Sequence, residues 1–336
     1  MSISTSQDVA KRAGVSIATV SRVLNDSPHV RPAVKRKVLR AVTALNYQPN
    51  RTAQRLRAKH SKVLGLIISD IQNPFFTSVV RGIEDLAYAH GYSLVLCNSD
   101  EDPEKEKLYI NVMRAEEVAG IILASTSESN PRVSDLLDSH IPVIAIDRRI
   151  KDRRVDSVLA TNTQGACEAV AHLIALGHRC IGFIGLPLTR TTGRERFDGY
   201  QRALRENGLT VSRARVRISD AKQQGGHDSA LELLASQPCL TALFAANNLM
   251  TLGALDAIRE RGLKIPDDIS IAGFDDMSWA ALLQPPLTAV AQPTYELGRQ
   301  AAELLLERLK SPDKPVEHVQ LDTTLIVRGS SGQPRA

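Results

Sequence analysis

Residues 5–25 carry the pattern that most constrains this chain, namely two short helices separated by a tight turn. Thr5 and Asp8 have the spacing of a capping box at the start of the first helix, and Gly14 can end that helix with a positive φ. Ser16 can then cap the second helix. Two helices joined by a short turn that contains glycine are typical of the helix-turn-helix, which places its second helix in the DNA major groove.

The second predicted helix has two chemically different faces. Val20, Val23 and Leu24 share one face and are predicted to pack inward. On the other face Arg22 can bond guanine O6 and N7 in a bidentate manner. The remaining outward residues suit thymine methyl groups or phosphate oxygens: Ser16, Ile17, Ala18, Thr19, Ser21 and Asn25. The alternative is an ordinary packed helical hairpin in which Arg22 is merely solvated.

The charge of the chain is concentrated at its N-terminal end. The first 60 residues hold 12 Lys or Arg but only 2 Asp or Glu, whereas the whole chain has a net charge of +5. Cationic side chains at this density release counterions from DNA, so binding is expected to weaken steeply with salt. A solvated basic arm is the alternative, and the helical periodicity around these charges argues against it.

A third helix is predicted to begin at Pro32, with an apolar stripe on one face and basic residues on the other. These basic residues either contact phosphates or only solvate the domain, and the pattern does not distinguish the two possibilities. They are Lys35, Arg36, Lys37 and Arg40. Residues 50–58 can form two further helical turns. So short a helix is marginal in water, so its formation should be conditional.

From Lys62 onward, short apolar runs alternate with amphipathic helical stretches. With 336 residues the chain is long enough for two or three domains. Alternation of this kind predicts parallel sheets covered by helices, and the material suffices for two of them, divided near Thr161 and Asn162. Ligands of such sheets bind beyond the carboxyl ends of the strands, which for two facing lobes is the cleft between them.

Several other classes of protein are disfavoured. Cysteines 97, 167, 180 and 239 lack any C-x-x-C spacing, so they are expected to be buried, reduced thiols. The histidines show no metal-ligand spacing and no nucleotide-binding or nucleophile-elbow motif occurs, so neither an enzyme nor a cofactor is expected. No signal peptide or membrane span is evident, and a cytoplasmic protein without membrane contact is expected.

The N-terminal motifs resemble those of the LacI/GalR (lactose-repressor) family of transcription regulators. The resemblance rests on Asp8-Val9-Ala10, Ala13-Gly14-Val15-Ser16, residues 19–25 (TVSRVLN) and Tyr47-Gln48-Pro49-Asn50. It implies a head at 1–48, a hinge helix at 49–60 that folds on operator DNA, and Leu56 as a minor-groove wedge. A flexible tether with Leu56 tucked against the core is the alternative. Further DNA-contacting residues are implied: Thr5, Tyr47, Asn50, Ala53, Arg55 and Arg57.

The resemblance extends to the core at 61–336, which is similar to periplasmic sugar-binding proteins. It implies a first lobe at about 61–161 and 293–324 and a second at about 162–291 and 325–336. The family's effector-contacting positions, together with neighbouring residues, are then Phe75, Phe76, Asp147, Arg148, Arg190, Thr192, Arg196, Asn248, Asp275, Trp279 and Gln292. Asn248 departs from the family's usual aspartate, and Trp279 is as compatible with the core as with the site.

The residues of the predicted cleft suit a polyhydroxylated ligand. Arg149, Arg190 and Arg194, with the loss of an acid at Asn248, favour a sugar acid or related derivative. The alternative is that Arg149 and Arg194 are simply solvated at the rim and Arg190 pairs with a nearby carboxylate, so that the three arginines do not favour an anion. A purine is a weaker alternative, suggested by Arg190-x-Thr192-Gly. The family implies a homodimer on a palindromic operator, controlled by this effector and expected to be a repressor. A transport-type sugar-binding protein is disfavoured by the basic head.

Overall fold

The computed structural model describes residues 4–24, 27, 29–47 and 61–335. The chain divides into two compact units, Met1–Ser61 and Lys62–Ala336. The first is the head and the second is the core, and each is described by itself below.

The head contains helices α1 (Ser6–Ala13), α2 (Ile17–Leu24) and α3 (Pro32–Ala44). The predicted capping box is present, since the Thr5 hydroxyl accepts the Asp8 N–H at 3.3 Å and the Asp8 carboxylate accepts the Thr5 N–H at 2.8 Å. Gly14 ends α1 with a φ of +65°. The two short helices and the third helix are thus confirmed.

The core of the head is small and apolar. Val9, Val20 and Val38 are fully buried, one from each helix, and Val23 is nearly so. The helical spacing that predicted these positions follows directly from 3.6 residues per turn. Arg31 precedes α3 without a side-chain cap, and Pro32 begins the helix instead, where its missing N–H would have had no helical partner.

The core unit consists of two sheets with helices on both faces. Its strands are β1 (Val63–Ile68), β2 (Ser93–Asn98), β3 (Gly120–Leu123), β4 (Val143–Ile146), β5 (Asp156–Ala160), β6 (Ile181–Gly185), β7 (Val216–Ile218), β8 (Ala242–Ala245), β9 (Ser270–Phe274), β10 (Thr288–Ala291), β11 (His318–Leu321) and β12 (Thr324–Ile326). Its helices are α4 (Pro74–Ala89), α5 (Pro103–Ala115), α6 (Pro131–Asp138), α7 (Asn162–Ala175), α8 (Thr191–Glu206), α9 (Gln223–Ser236), α10 (Asn248–Glu260) and α11 (Thr294–Lys310).

The first lobe is the sheet with strand order β11-β5-β4-β3-β1-β2 and its helices, and the second is the sheet β12-β10-β9-β8-β6-β7 and its helices. The first sheet is parallel throughout, whereas β12 runs antiparallel to β10 at the edge of the second. The predicted doubly wound lobes are therefore confirmed, with the correction that the second sheet is mixed. The chain passes between the sheets after β5, after β10 and between β11 and β12.

Local sequence explains most of these elements. Four helices, α3 to α6, begin with proline, which has the φ of the first helical turn and no N–H to satisfy. The central strands are continuous apolar runs because both faces of each parallel sheet are covered. The edge strands β7, β11 and β12 are short and partly exposed, so their sequences have no comparable apolar run.

Helices α4 and α11 pack together at a pair of glycines. A Cβ at Gly82 would overlap the carbonyl oxygen of Tyr295, and one at Gly298 would overlap the carbonyl oxygen of Val79. The absent side chains let the two backbones meet directly. This contact joins the first helix of the core to the one that returns to the first lobe.

The expectation of four reduced cysteines is wrong for two of them. Cys180 and Cys239 form a disulfide, with their Cα atoms 5.9 Å apart, while Cys97 and Cys167 are free. Sequence spacing could not reveal the pair because 59 residues separate them, and the pairing of β6 with β8 brings them together. None of the helices among the described residues is long and apolar enough to cross a membrane.

Candidate functional site

The outward face of α2 presents the predicted DNA-contacting residues. Arg22 and Ala18 are exposed, and 44% of Ile17 is accessible. Ser16 stands before the helix, where its hydroxyl accepts the N–H of Thr19 at 3.2 Å. This places Ser16 as the cap of α2 and leaves an exposed apolar and cationic face, which is what base-edge contact in a major groove requires.

The other predicted DNA-contacting residues differ in position. Thr5 is exposed at the start of α1, and Ser21 is half-buried on α2. Tyr47 is partly buried and packs against the apolar core of the head. Its ring therefore stabilises the head, and part of it remains at the surface. The hinge and its wedge lie outside the described residues, as do these predicted contacts: Asn25, Asn50, Ala53, Arg55, Leu56 and Arg57.

In the core, the loops at the carboxyl ends of the strands from both lobes converge on one cavity, which is open to solvent on one side. Its lining is mainly charged and polar, with two aromatic rings: Asp70, Asn73, Phe75, Phe76, Glu101, Asp147, Arg148, Leu186, Thr192, Arg196, Asp220, Ala221, Lys222, Asn247 and Asp275. Seven of the predicted effector residues are in this set, namely Phe75, Phe76, Asp147, Arg148, Thr192, Arg196 and Asp275. The expected inter-lobe cleft is therefore present.

Backbone conformations that are uncommon for non-glycine residues cluster at this cavity. Asp147 and Asp275 directly follow β4 and β9 with φ values of +66° and +71°, and Glu101 follows β2 with +61°. Ala221 has a φ of +72°. Such conformations are found mainly where function requires a particular side-chain direction. Here they hold carboxylates at the ends of strands from both lobes.

Arg196 projects from α8 and is 3% exposed. Its Nε donates to Asn162 at 2.8 Å and its Nη1 to the carbonyl oxygen of Ala246 at 2.7 Å. The guanidinium lies 3.8 Å above the ring centroid of Phe274 and 3.7 Å from Asp275. Stacking and hydrogen bonding fix this cation in one orientation, so it can present a donor to a ligand without reorganising.

Arg148 is bound by a carboxylate of the same lobe. Its Nη1 and Nη2 donate to the two oxygens of Glu101 at 2.8 and 2.6 Å, and Asp147 lies 3.4 Å from its Nε. Arg190 reaches the same carboxylate from the other lobe, with Nη2 at 3.2 Å. Burial raises the pKa of Asp147 to about 6, and Arg148 and Arg196 only partly offset that effect.

Two predicted residues border the cavity through hydrogen bonds. Asn248 donates to Asn73 at 2.8 Å, a contact between the lobes. Gln292 donates to Asp275. Phe75 and Phe76 meet edge to face with centroids 4.9 Å apart.

Trp279 does not belong with the lining. It is half-buried and packs against the apolar core of the second lobe, because the chain turns into a short 3-10 helix at Ala280–Leu282 instead of toward the cavity. Arg149 and Arg194 are about half exposed and pair with Glu195 and Glu128 respectively. Arg190 also has a carboxylate partner, as in the alternative given above, but Arg149 and Arg194 are paired with acids rather than simply solvated.

Sequence reasoning missed the acids and the lysine that complete the cavity. Lys222 lies 2.6 Å from Asp70 and 3.2 Å from Asp100, which joins the lobes at one end of the cleft. Glu101 and Asp220 also line the cavity. The sequence signal that could have identified Glu101 and Asp220 is their position shortly after the edge strands β2 and β7. Strand β7 has only three residues and is partly exposed, so neither the strand nor the loop after it was predicted.

Glu128 makes a further contact between the lobes. Its carboxylate accepts hydrogen bonds from Thr191 at 2.7 Å and from Arg194, both in the first turns of α8, and Lys151 lies 3.0 Å away. The helix N-terminus adds its own attraction for an anion. Burial acts to raise the pKa of Glu128, but Arg194, Thr191 and Lys151 outweigh it and lower the pKa to about 2.

The folded-state pKa of Glu128 is below its unfolded value, so its stabilisation is complete above about pH 4.5 and is lost as the pH falls toward 2. We expect Glu128→Gln to lower the free energy of unfolding at pH 7 by about 1–3 kcal/mol, because charge-assisted bonds weaken. The difference from the unchanged protein should shrink between pH 5 and pH 2.5 in denaturant titrations. Glu104→Gln, an exposed acid, serves as the control, and a difference independent of pH would contradict the assignment.

Comparison with known proteins agrees with both units. Residues 5–50 match the family model described as bacterial regulatory proteins, lacI family, and residues 170–331 match a periplasmic binding protein-like domain. The chain is 37% identical over 333 residues to the HTH-type transcriptional repressor PurR of Haemophilus influenzae strain PittEE. The alignment covers 98% of each of the two chains.

Two solved structures extend the likeness to the fold. A Lac repressor dimer bound to operator and the anti-inducer ONPF has a TM-score of 0.85 at 29% identity and covers 98% of this chain and 100% of its own. A complex of the transcriptional regulator CelR with cellobiose has a TM-score of 0.76 at 31% identity, over 97% and 99% of the two chains. With its helix-turn-helix head and two-lobed core, the chain belongs to the LacI family of DNA-binding bacterial transcription regulators.

Proposed function

We propose that the protein is a transcriptional repressor that binds a palindromic operator as a homodimer and responds to a small sugar, or a compound derived from a sugar, held between the lobes of its core. The single observation that carries the effector assignment is the cavity itself, where carboxylates, guanidiniums and two aromatic rings converge from both lobes. Carboxylates accept from ligand hydroxyls and guanidiniums donate to them.

The DNA-binding part of the proposal is supported by the exposed face of α2 and by the basic head. A two-fold dimer reading two half-sites requires a palindromic site, because the symmetries of protein and DNA must correspond. The Lac repressor structure shows a related dimer on its operator. We propose the head at 1–48, the hinge helix at 49–60 with Leu56 as wedge, and the two lobes with the boundaries given above.

Control of DNA binding is proposed to pass through the lobes. Polar contacts join the lobes at Lys222 with Asp70 and at Glu128 with Thr191. A ligand that binds between the lobes must alter their closure, and any coupling to operator affinity is reciprocal. We place the protein in the cytoplasm, where its operator is, and assign it no enzymatic activity and no cofactor.

A purine is the second candidate effector, since the relative with 37% identity is a purine-type repressor by name, PurR. The CelR relative was solved with cellobiose. The charged lining favours the sugar, because a purine offers few hydroxyl groups to five lining carboxylates.

The effector class can be tested by thermal unfolding of the full chain with neutral sugars, sugar acids, sugar phosphates and purines. A specific ligand at about 100 times its Kd should add about 2.7 kcal/mol to the free energy of unfolding. Gln292→Leu should reduce the shift because Gln292 borders the cavity through Asp275. Gln164→Leu, on an exposed part of α7, should keep it. If no compound shifts the transition, the sugar assignment is wrong while the DNA-binding assignment stands.

A further inference from the structure

We propose that Glu101 is a built-in counter-anion of the cleft and sets its specificity, so that the site selects an uncharged polyhydroxylated effector and rejects the carboxylate or phosphate analogue. The inference deepens the proposed function and rests on it in one respect, that the cavity is the effector site. It replaces the expectation of a sugar acid that the arginines of the sequence favoured.

The first step is the position of Glu101. Its side chain is 13% exposed, and its two oxygens accept from both terminal nitrogens of Arg148 while Arg190 approaches from the second lobe. Burial acts to raise the pKa of Glu101, but the two arginines and Ser69 outweigh it, so the pKa is held below its usual value. Glu101 is thus an anion at neutral pH.

The second step is what this pairing removes. An arginine recognises a ligand carboxylate or phosphate through two parallel N–H donors. On Arg148 that pair is occupied by Glu101, and Ser125 and Ser69 accept further bonds at 3.3 and 3.2 Å. A ligand anion would have to displace a buried carboxylate from the same donors.

The third step is the charge that an arriving ligand meets. Five carboxylates line the cavity, against three cations: Asp70, Glu101, Asp147, Asp220 and Asp275 against Arg148, Arg196 and Lys222. Each of these cations lies within 4 Å of a lining carboxylate. A further negative charge would add to this excess of carboxylates, which is costly in a site removed from water.

The fourth step is what remains available for bonding. Among the described residues, four buried side-chain atoms have no hydrogen-bond partner, and three of them border this cleft: Arg148 Nε, Arg190 Nη1 and Gln292 Oε1. These are two single donors and one single acceptor. A hydroxyl group both donates and accepts, so separate hydroxyl groups can satisfy all three atoms, whereas a carboxylate has no hydrogen to donate to Gln292 Oε1.

The experiment removes the counter-anion and supplies one from solution. Glu101 has a φ of +61°, which glycine adopts freely, so Glu101→Gly removes the carboxylate without adding backbone strain and leaves a gap of its size. Thermal unfolding of the full chain is compared in sodium acetate, sodium formate and sodium chloride at equal ionic strength. Glu104→Gly, at an exposed neighbouring acid, is the matched control for loss of a glutamate.

We expect the Tm of Glu101→Gly to be roughly 5–10 °C lower in chloride than that of the unchanged protein, since the buried Arg148 loses its bidentate partner and Arg190 its nearby carboxylate. Formate or acetate should recover at least half of this loss in a saturable manner, while the unchanged protein and Glu104→Gly should show no such recovery. Glu101→Gln should be destabilised without recovery, because its amide fills the gap.

Three results would overturn the proposal: saturable stabilisation of the unchanged protein by these anions, a Tm of Glu101→Gly that equals that of the unchanged protein, or a lowered Tm that no anion restores. If Glu101→Gly does not fold in either salt, Glu101→Gln decides, and an unchanged Tm for that variant refutes the role. Neither DNA nor sugar enters this measurement. If the unchanged protein failed to bind any operator, the proposed function would therefore be refuted, while the Tm result for Glu101 would still stand.

Discussion

Arg22→Ala is expected to reduce affinity for the preferred operator by about 5-fold to 150-fold, which corresponds to the roughly 1–3 kcal/mol carried by a bidentate contact to guanine. Arg22 is exposed on the outward face of α2, beside Ile17. The operator can be obtained by selecting palindromic duplexes from a randomised pool with the unchanged protein. Binding is then measured by fluorescence anisotropy against single-base variants of the selected site.

The matched control is Arg36→Ala, an exposed cation on α3. A phosphate contact weakens all sequences by the same factor and lowers the salt dependence, whereas a base contact relaxes preference at one position. If Arg22→Ala weakens all sites equally, Arg22 contacts only the backbone. If the unchanged protein selects no palindromic site, the proposed operator geometry is wrong.

The second large effect is expected from Gly298→Ala, which should destabilise the core by about 3 kcal/mol or more. In an exposed helix the same change stabilises by roughly 0.5–1 kcal/mol, because alanine loses less conformational freedom than glycine. Here the new methyl group would overlap the carbonyl oxygen of Val79, and backbone atoms cannot yield as a flexible side chain can. The sign of the change in the free energy of unfolding therefore distinguishes a close helix contact at Gly298 from an exposed helix.

The change is measured by denaturant titration of the full chain, followed through the folding of its core. Lys310→Ala, at the exposed end of the same helix, is the control and should change the free energy of unfolding by less than about 0.5 kcal/mol. A stabilised Gly298→Ala variant would show that α4 and α11 separate readily. The contact would then not be a rigid part of the first lobe.

Local rules allowed much of this fold to be predicted from sequence. The capping box at Thr5 and the left-handed turn at Gly14 depend only on residues within one or two helical turns. The central strands could be recognised for the same reason, since a run that is apolar throughout must be buried on both faces. Edge strands such as β7 were missed because a half-exposed strand of three residues has no distinctive pattern.

The site was predictable only in outline. That loops after strands would meet in a cleft follows from the topology of parallel sheets, and the family resemblance singled out Arg148, Arg196 and Asp275 in those loops. The side chains that pair with these residues could not be predicted from the topology. The bidentate pairing of Arg148 with Glu101 spans 47 residues, and the approach of Arg190 depends on closure of the second lobe onto the first.

The sequence by itself determined the helix-turn-helix head, the alternation that builds two lobes and the set of charged residues available to the cleft. The tertiary structure alone decided which charges cancel, which donors remain, and that Cys180 meets Cys239. The physical reason is range. Helix caps and periodicity depend on neighbours along the chain, whereas ion pairing, burial and disulfide contact depend on distances in space, which only the packing of distant elements defines.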